Sequence, residues 1–406
     1  MKKKLMLISP MLHQGGFERV CVTTARLLAP YFEVVIVIFS SEDIAYDIKG
    51  LNIIDIKMGA REGMAGKLLN IGKRSLKVRQ LKKRWKPDIA YSFGSTANIV
   101  NAFSRTGKEK VWLGIRSYME MGQPRKIRLL AKFADLLVCC SRKIEGELGE
   151  KYGICHTATL YNPYNVEAIR KEGDSGEPAL PWGERDGQGR KLEVLVSMGR
   201  EDQVKGFWHL LKAFALVHET IPQARLLIIG EGTFEPYKKL AEELKIDGEV
   251  YFSGLQREPY KYLKKGQVYL LTSLNEGFPN ALVEGMALGL AAVSTACMTG
   301  PSEILQEKDD ISLFRQQAAE NSPPVIYGDY GILVPVMAPE PDFDPGHILE
   351  EERNLAQVVA GLLLDRQQLE KYQKAAVERS RIFTYEGYVG QFLKCAGLPG
   401  RKKERG

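Results

Sequence analysis

The chain has 406 residues, of which 44% are hydrophobic and 26% charged, with 57 Lys and Arg against 50 Asp and Glu for a formal charge of +7. These proportions exclude a disordered or fibrous chain, and the length exceeds what one ordinary core accommodates, so two domains are expected. No apolar run approaches the ~18 residues a membrane-spanning helix needs.

Met1 to Lys4 is basic in the manner of a signal peptide, but the apolar run that follows, Leu5 to Ser9, is too short for a secretory segment and reads as a first strand. Further strands are expected at Val34 to Phe39, Ile53 to Ile56, Ile89 to Ser92, Val111 to Ile115, Leu136 to Cys140 and Ala158 to Tyr161. Between them, Glu18 to Leu28 and Leu68 to Trp85 show helical periodicity. Short apolar runs alternating with helices are the signature of a parallel sheet wrapped by helices, so residues 1–170 form one Rossmann-like unit.

Residues 171–190 are rich in Gly, Pro and acidic side chains and read as a linker. The pattern then restarts over residues 191–375. Strands are expected at Glu193 to Met198, Arg225 to Ile229, Val250 to Phe252, Val268 to Leu271, Ala291 to Ser294 and Gly331 to Val334, with helices such as Phe207 to His218, Tyr237 to Leu244 and Ala281 to Leu288. Two polar or Pro-rich stretches, Glu307 to Val325 and Val336 to Glu352, read as surface insertions. The last helical segment, Gln367 to Ala396, is long, and its end, residues 376–396, is expected to cross back to the first domain. The fold class is therefore α/β, two Rossmann-like domains facing each other across a cleft, with ligands beyond the carboxyl ends of the strands.

Six cysteines lack CxxC spacing and several lie in apolar runs, which points to reduced core thiols. Five scattered histidines form no HxxxH or HExxH pair, so no metal-ligand set and no cofactor is expected. Between Arg61 and Lys132, 18 Lys and Arg face only 4 Asp and Glu, and the rest of the chain is net negative. A basic region in one half suggests an anionic partner such as a membrane surface, with Lys82, Lys83 and Arg84 among its cations; the plainer reading is a solvated face of Lys-rich helices. Nucleic acid is disfavoured, since no RNA- or DNA-binding signature accompanies the run. The protein is expected in the cytoplasm, peripheral at the inner face of the plasma membrane. Arg401 to Arg405 form a basic tail outside the fold.

The sharpest chemical signal is Asn275-Glu276-Gly277-Phe278-Pro279-Asn280-Ala281-Leu282-Val283-Glu284, just after the strand Val268 to Leu271. Pro279 suits a helix start, whose free amides and positive dipole end form a site for a diphosphate. Of Glu276 and Glu284, one carboxylate can accept from sugar hydroxyls and the other from ribose hydroxyls. The plainer reading, two exposed glutamates near a helix N-terminus, would fit any acidic pair outside this context. A second constellation, Gly199-Arg200 with Lys205-Gly206, follows a strand and puts two cations where a leaving diphosphate would gain charge. Gln14-Gly15-Gly16 opens a helix after strand one and permits close backbone approach to a phosphate. Thr299-Gly300-Pro301-Ser302-Glu303 leads into another helix, and neither it nor Gly230-Glu231-Gly232 makes a GxGxxG dinucleotide fingerprint.

These segments, in this order, together with Asn98 and Asn162-Pro163, resemble glycosyltransferase family 4, the retaining GT-B enzymes, in the branch that builds surface polysaccharides and lipid-linked oligosaccharides. The resemblance covers nearly the whole chain and includes the Glu-x7-Glu pattern at Glu276 and Glu284. It implies that Arg200 and Lys205 hold the donor diphosphate, Glu276 the transferred sugar and Glu284 the ribose. Gly277, Phe278, Pro279 and Asn280 would complete the donor pocket beside Gly199, and Gly16 would approach the phosphates from the other domain. It also implies retention by a front-face displacement with no metal and no enzyme nucleophile. The sequence departs from the family where a histidine ends an N-terminal-domain strand: Val111 to Ile115 is followed by Arg116, with Glu120 nearby. Arg116 and Glu303 are therefore candidate acceptor or sugar contacts.

The expected activity is transfer of a hexose or N-acetylhexosamine from a nucleotide diphosphate sugar, UDP-linked, to a glycan or lipid-diphosphate-linked acceptor. Alternatives are a nucleotide-sugar epimerase or phosphorylase of the same architecture, or a non-catalytic sugar-nucleotide-binding subunit. A metal-dependent transferase would need a DxD motif, spelled here only by Asp342-Phe343-Asp344 in a Pro-rich stretch.

Overall fold

The unbroken apolar run Leu5-Met6-Leu7-Ile8 in the first strand already predicts a sheet covered on both faces. In the computed structural model, Leu5 and Leu7 enter one buried cluster while Met6 and Ile8 enter another on the opposite face. The structure describes residues 2–13, 15–60, 62–307 and 325–399. The chain divides into two compact units, 1–163 with 385–406, and 164–384.

The first unit runs β1 (Lys3–Ser9), α1 (Gly16–Leu28), β2 (Phe32–Ile38), β3 (Ile53–Asp55), α2 (Met64–Trp85), β4 (Ile89–Phe93), α3 (Ser95–Phe103), β5 (Lys110–Ile115), α4 (Pro124–Ala131), β6 (Leu136–Cys139), α5 (Arg142–Tyr152) and β7 (Thr157–Thr159). Its sheet has the order β3-β2-β1-β4-β5-β6-β7, parallel throughout among the described residues.

The second unit contains α6 (Val166–Gly173), β8 (Glu193–Met198), α7 (Phe207–Thr220), β9 (Ala224–Ile229), α8 (Glu235–Glu243), β10 (Val250–Gly254), α9 (Pro259–Leu263), β11 (Val268–Leu271), α10 (Asn280–Ala287), β12 (Ala291–Thr295), α11 (Pro301–Leu305), β13 (Ile326–Tyr327), β14 (Ile332–Val334), α12 (Glu350–Leu364) and α13 (Arg366–Ser380). Its order, β10-β9-β8-β11-β12-β14-β13, repeats the first except at one edge, where the last two strands exchange chain order and β13 pairs antiparallel to β14. In each sheet the winding direction reverses once, between β1 and β4 and between β8 and β11.

The boundaries differ from those read along the chain. The second unit begins at Tyr164, not after residue 170, because α6 packs onto it: Arg170 Nε donates to Ala287 O at 2.9 Å and a Cβ on Gly173 would lie 2.7 Å from Leu288 Cδ2. The stretch 171–190 is likewise part of this unit, pinned where Trp182 Nε1 donates to Gly248 O at 3.1 Å. The expected helix Gln367 to Ala396 is broken at Arg381–Phe383, where Tyr164 N takes the Phe383 carbonyl that a continuing helix would use. Beyond the break, α14 (Tyr385–Cys395) belongs to the first unit: Tyr388 and Thr24 share a hydrogen bond of 2.7 Å and Phe392 lies 5.0 Å from Trp112.

The expected insertion Val336 to Glu352 lies largely at the surface but is fastened to the core at several points. Met337 is buried in the core, Phe343 packs 5.4 Å from Tyr237, and the fully buried Lys212 amine donates to Asp342 Oδ2 at 2.8 Å. His209 on α7 adds a buried clasp, with Nδ1 2.6 Å from Glu352 Oε1 and Nε2 2.9 Å from Ala338 O. Asp342 is thus committed to Lys212 and to His347, 2.7 Å away. Most of the other expected insertion, Glu307 to Val325, lies outside the described residues, as do Gln14, Arg61 and the tail Arg401 to Arg405.

All six cysteines are free, four of them buried. No described helix is long and apolar enough to cross a membrane. One expected surface cation is misplaced: Lys82 is buried, bonded to Asn101 Oδ1 at 2.7 Å and paired with Glu109 at 3.1 Å. Burial pushes its amine down to about 8.

Candidate functional site

In an open parallel sheet the loops that follow the two strands flanking a reversal diverge and leave room for a ligand. In the second unit those strands are β8 and β11, and they are followed by Gly199-Arg200 and by Ser273 to Pro279. The two sequence constellations, far apart in the chain, therefore meet at one place.

The contact is direct. Lys205 Nζ donates to Glu276 Oε1 at 2.7 Å, and Ser273 Oγ donates to the same oxygen at 2.8 Å. Both charged side chains are mostly shielded yet reach solvent, at 21% and 13% exposure, which leaves them accessible to an incoming ligand. The loop bearing Lys205 is stitched to the strand end. Thr272 Oγ1 donates to Lys205 O at 2.9 Å, Leu274 N donates to Val204 O at 2.8 Å, and Gly206, at φ +60°, would drive a Cβ to 2.5 Å from Thr272 O.

The Glu276 loop rests on the fourth motif. Thr299 Oγ1 donates to Glu276 O, and Gly300, at φ +93°, approaches so closely that a Cβ would meet Pro279 Cδ at 2.5 Å. Gly277 and Phe278 are buried, the ring of Phe278 edge-on to Phe383 at 5.2 Å. Pro279 caps α10, whose first residue, Asn280, accepts from Tyr164 Oη at 2.5 Å. One turn on, Glu284 is buried and accepts from Tyr260 Oη at 3.1 Å. A pair of exposed glutamates at a helix start does not describe this geometry, since a buried carboxylate is kept only with partners.

Arg200 stands exposed at the end of β8, its guanidinium 3.1 Å from Asp202 Oδ2. Gly199 lies against the Lys205 side chain, where a Cβ would sit 3.1 Å from Cε. Glu303 is buried on α11, whose last carbonyls accept from Arg379. The structure thus brings Gly199, Lys205, Glu276, Gly277, Pro279 and Asn280 together with Glu284 one helical turn deeper, while Arg200 faces Asp202 and Glu303 faces the interior.

Residues 184–322 match the family described as glycosyl transferases group 1. An uncharacterised glycosyltransferase of Methanocaldococcus jannaschii is 28% identical over 79% of this chain and 82% of its own length. A Campylobacter jejuni N-acetylgalactosamine-N,N'-diacetylbacillosaminyl-diphospho-undecaprenol 4-alpha-N-acetylgalactosaminyltransferase is 27% identical over 79% of this chain and 88% of its own. The solved structure of Anabaena HepE in complex with UDP and glucose has a TM-score of 0.72, covering 97% of this chain and 99% of that one at 16% identity. The chain has the GT-B fold, and its residues 184–322 carry the group 1 glycosyl transferase module.

In the first unit of this transferase, the candidate residues follow β1, which flanks the reversal, and β5, one strand beyond β4. Gly16 is the first residue of α1, after Gly15, whose amide and carbonyl are both held by Tyr46 Oη at 2.9 and 2.6 Å. Arg116 follows β5; its Nη1 donates to Asn162 Oδ1 at 3.1 Å, its Nη2 to Tyr91 Oη, and its guanidinium lies 5.1 Å from the Phe93 ring. Its amide donates to Glu120 Oε1 at 3.1 Å, and burial raises the Glu120 carboxyl. Asn98 is internal: it bridges Ser92 Oγ and Gly114 O at 2.8 Å each.

Sequence reasoning on this transferase missed three contributors. Tyr260 was invisible because a lone tyrosine 24 residues before Glu284 carries no motif. Ser273 was hidden for the same reason. Gly230 had a signal, the Gly-Glu-Gly spelling, but its role is to let backbones touch: a Cβ there would lie 1.8 Å from Gly199 O, so it fixes the turn that carries Arg200.

Proposed function

We propose that the transferase takes a hexose or N-acetylhexosamine from a UDP-sugar, with retention of anomeric configuration and without a protein-bound metal. The acceptor is a glycan or a lipid-diphosphate-linked glycan. The observation that carries this reading is the meeting of Lys205 and Glu276 at the β8/β11 reversal, 2.7 Å apart, with Glu284 buried on the adjoining helix. Lys205 and Arg200 supply the positive charge that a departing diphosphate requires, and Asp202 and Glu276 occupy them meanwhile. When the diphosphate engages Lys205, Glu276 is released to accept from hydroxyls of the transferred sugar, and Glu284 accepts from the ribose.

The acceptor oxygen attacks the anomeric carbon from the face the diphosphate leaves. The bond from that carbon to the diphosphate oxygen breaks, and the acceptor proton passes to a phosphate oxygen. Products are the glycosylated acceptor and the nucleoside diphosphate, with no covalent enzyme intermediate. Support for UDP comes from the neighbour solved with UDP and glucose, and support for a lipid-diphosphate acceptor from the Campylobacter relative's named substrate. The basic first unit supports peripheral attachment at the cytoplasmic face of the membrane.

The test is a panel of labelled nucleotide sugars with an undecaprenyl-diphosphate glycan acceptor, with and without EDTA, and product stereochemistry read by NMR. Transfer that survives EDTA and keeps the donor's anomeric configuration is expected. Inversion, or abolition by the chelator, overturns the mechanism; epimerised donor without transfer would favour the epimerase.

A further inference from the structure

Helix α10, which carries Glu284, has only eight residues, Asn280 to Ala287, and its cap residue Pro279 makes no side-chain hydrogen bond to its first amides. A helix of two turns has little stability of its own, so its place is set by what grips it. Part of that grip comes from a stretch that no motif marks, Tyr164 to Gly173, which lies with α10 in the second unit.

Three polar side chains of this stretch act on α10 at three points. At its first residue, the buried Tyr164 donates from Oη to Asn280 Oδ1 at 2.5 Å. At its last residue, Arg170 Nε donates to Ala287 O at 2.9 Å, where a cation satisfies one of the final helix carbonyls and complements the negative end of the dipole. Between them, Glu172 Oε1 accepts from Tyr260 N at 3.2 Å, and Tyr260 Oη donates to Glu284 Oε1 at 3.1 Å. Glu172 thus fixes the first turn of α9 and with it the hydroxyl that holds Glu284. Burial raises the Glu172 carboxyl, and the charges of Glu258 and Glu284 raise it further, against the Tyr260 amide and Lys261. Val166, Ile169 and Gly173 seat α6 by packing, which tolerates sliding; directional hydrogen bonds at both ends and the middle of α10 do not.

We infer that Tyr164, Arg170 and Glu172 are positioning residues for the nucleotide-sugar donor, acting on it only through Asn280, the end of α10 and the Tyr260–Glu284 pair. This rests on the reading of Glu284 as a donor contact. It extends the donor site to a helix that precedes β8 and lies outside both loops at the reversal.

The experiment is calorimetric titration of UDP into the full chain, with Tm followed in parallel, for wild type, Y164F, R170M, E172A, E172Q, Y260F, E172A/Y260F and E284Q. Y164F, R170M and E172A should each weaken UDP binding by roughly three- to tenfold. E172Q keeps an oxygen for the Tyr260 amide and should restore affinity to within about twofold of wild type. Because Glu172 acts through Tyr260, E172A/Y260F should bind no more weakly than the weaker of its two parents. Additive losses in that double variant, or a loss that E172Q shares in full, would reduce Glu172 to a stabiliser of the fold and overturn its assignment. Wild-type affinity in Y164F, R170M and E172A, with E284Q impaired, overturns the inference and leaves Glu284 a donor contact. Wild-type affinity in E284Q removes the donor reading of Glu284, and the inference falls with it.

Discussion

Lys205 and Glu276, separated by 71 residues, form a 2.7 Å ion pair across the turns that follow β8 and β11. The pair holds each group in place for a ligand that would use them separately, the amine for phosphate and the carboxylate for hydroxyls. Replacing Lys205 by Met removes positive charge from the leaving diphosphate, and kcat should fall by roughly 100- to 1,000-fold. E276Q keeps the shape but loses the anionic acceptor and should fall comparably. Single-turnover transfer measures both, and activity within a few-fold of wild type in K205M would remove Lys205 from the chemistry.

Tyr260 acts at one remove, its hydroxyl donating to Glu284 Oε1 at 3.1 Å. Y260F deletes only that donor. Because Glu284 is read as a ribose contact, the loss should appear as a donor KM raised by roughly tenfold with kcat little changed. A fall in kcat at unchanged KM would place Glu284 on the reacting sugar instead.

Gly230 is required by contact, not by backbone angle. A Cβ there would fall 1.8 Å from Gly199 O, so G230A must push apart the ends of β8 and β9. Destabilisation of ~1–3 kcal/mol is expected, together with weaker UDP binding as the Gly199-Arg200 turn shifts. G187A, with nothing within 4 Å of the new methyl, is the control and should behave as wild type. Calorimetry and UDP titration on the two variants decide the matter.

The Lys212 hydrogen bond holds the Asp342 carboxyl well below the usual carboxylate range. A carboxylate whose folded-state pKa is depressed adds stability that is fully present above its unfolded value of about 4 and is lost as pH falls below it. D342N should therefore lower Tm near neutrality, and the gap between variant and wild type should narrow as pH falls from about 5 towards 3. A gap that stays constant over that range would show that Lys212 does not stabilise the ionised form.

Much of the site could be read along the chain because its parts are local. Pro279 marks a helix start wherever it stands, and the Glu276 to Glu284 spacing is counted within one loop and helix. Tyr260 could not be read, since its partner is chosen by the packing of α9 against α10, and Ser273 is one serine among many until β11 places it beside Glu276. The break at Arg381–Phe383 escaped notice because the competing donor, Tyr164 N, lies more than 200 residues away.

By itself the sequence determined the succession of strands and helices and the motifs at their ends, because periodicity, caps and glycine turns are short-range properties of the backbone. Only the tertiary structure decided the strand order that reverses between β8 and β11, the unit to which α6 belongs, the break that frees α14 from the helix before it, and the inward turn of Lys82 beside outward leucines on α2. Those outcomes depend on which distant surfaces exclude water from one another, and that competition is settled across the whole chain at once.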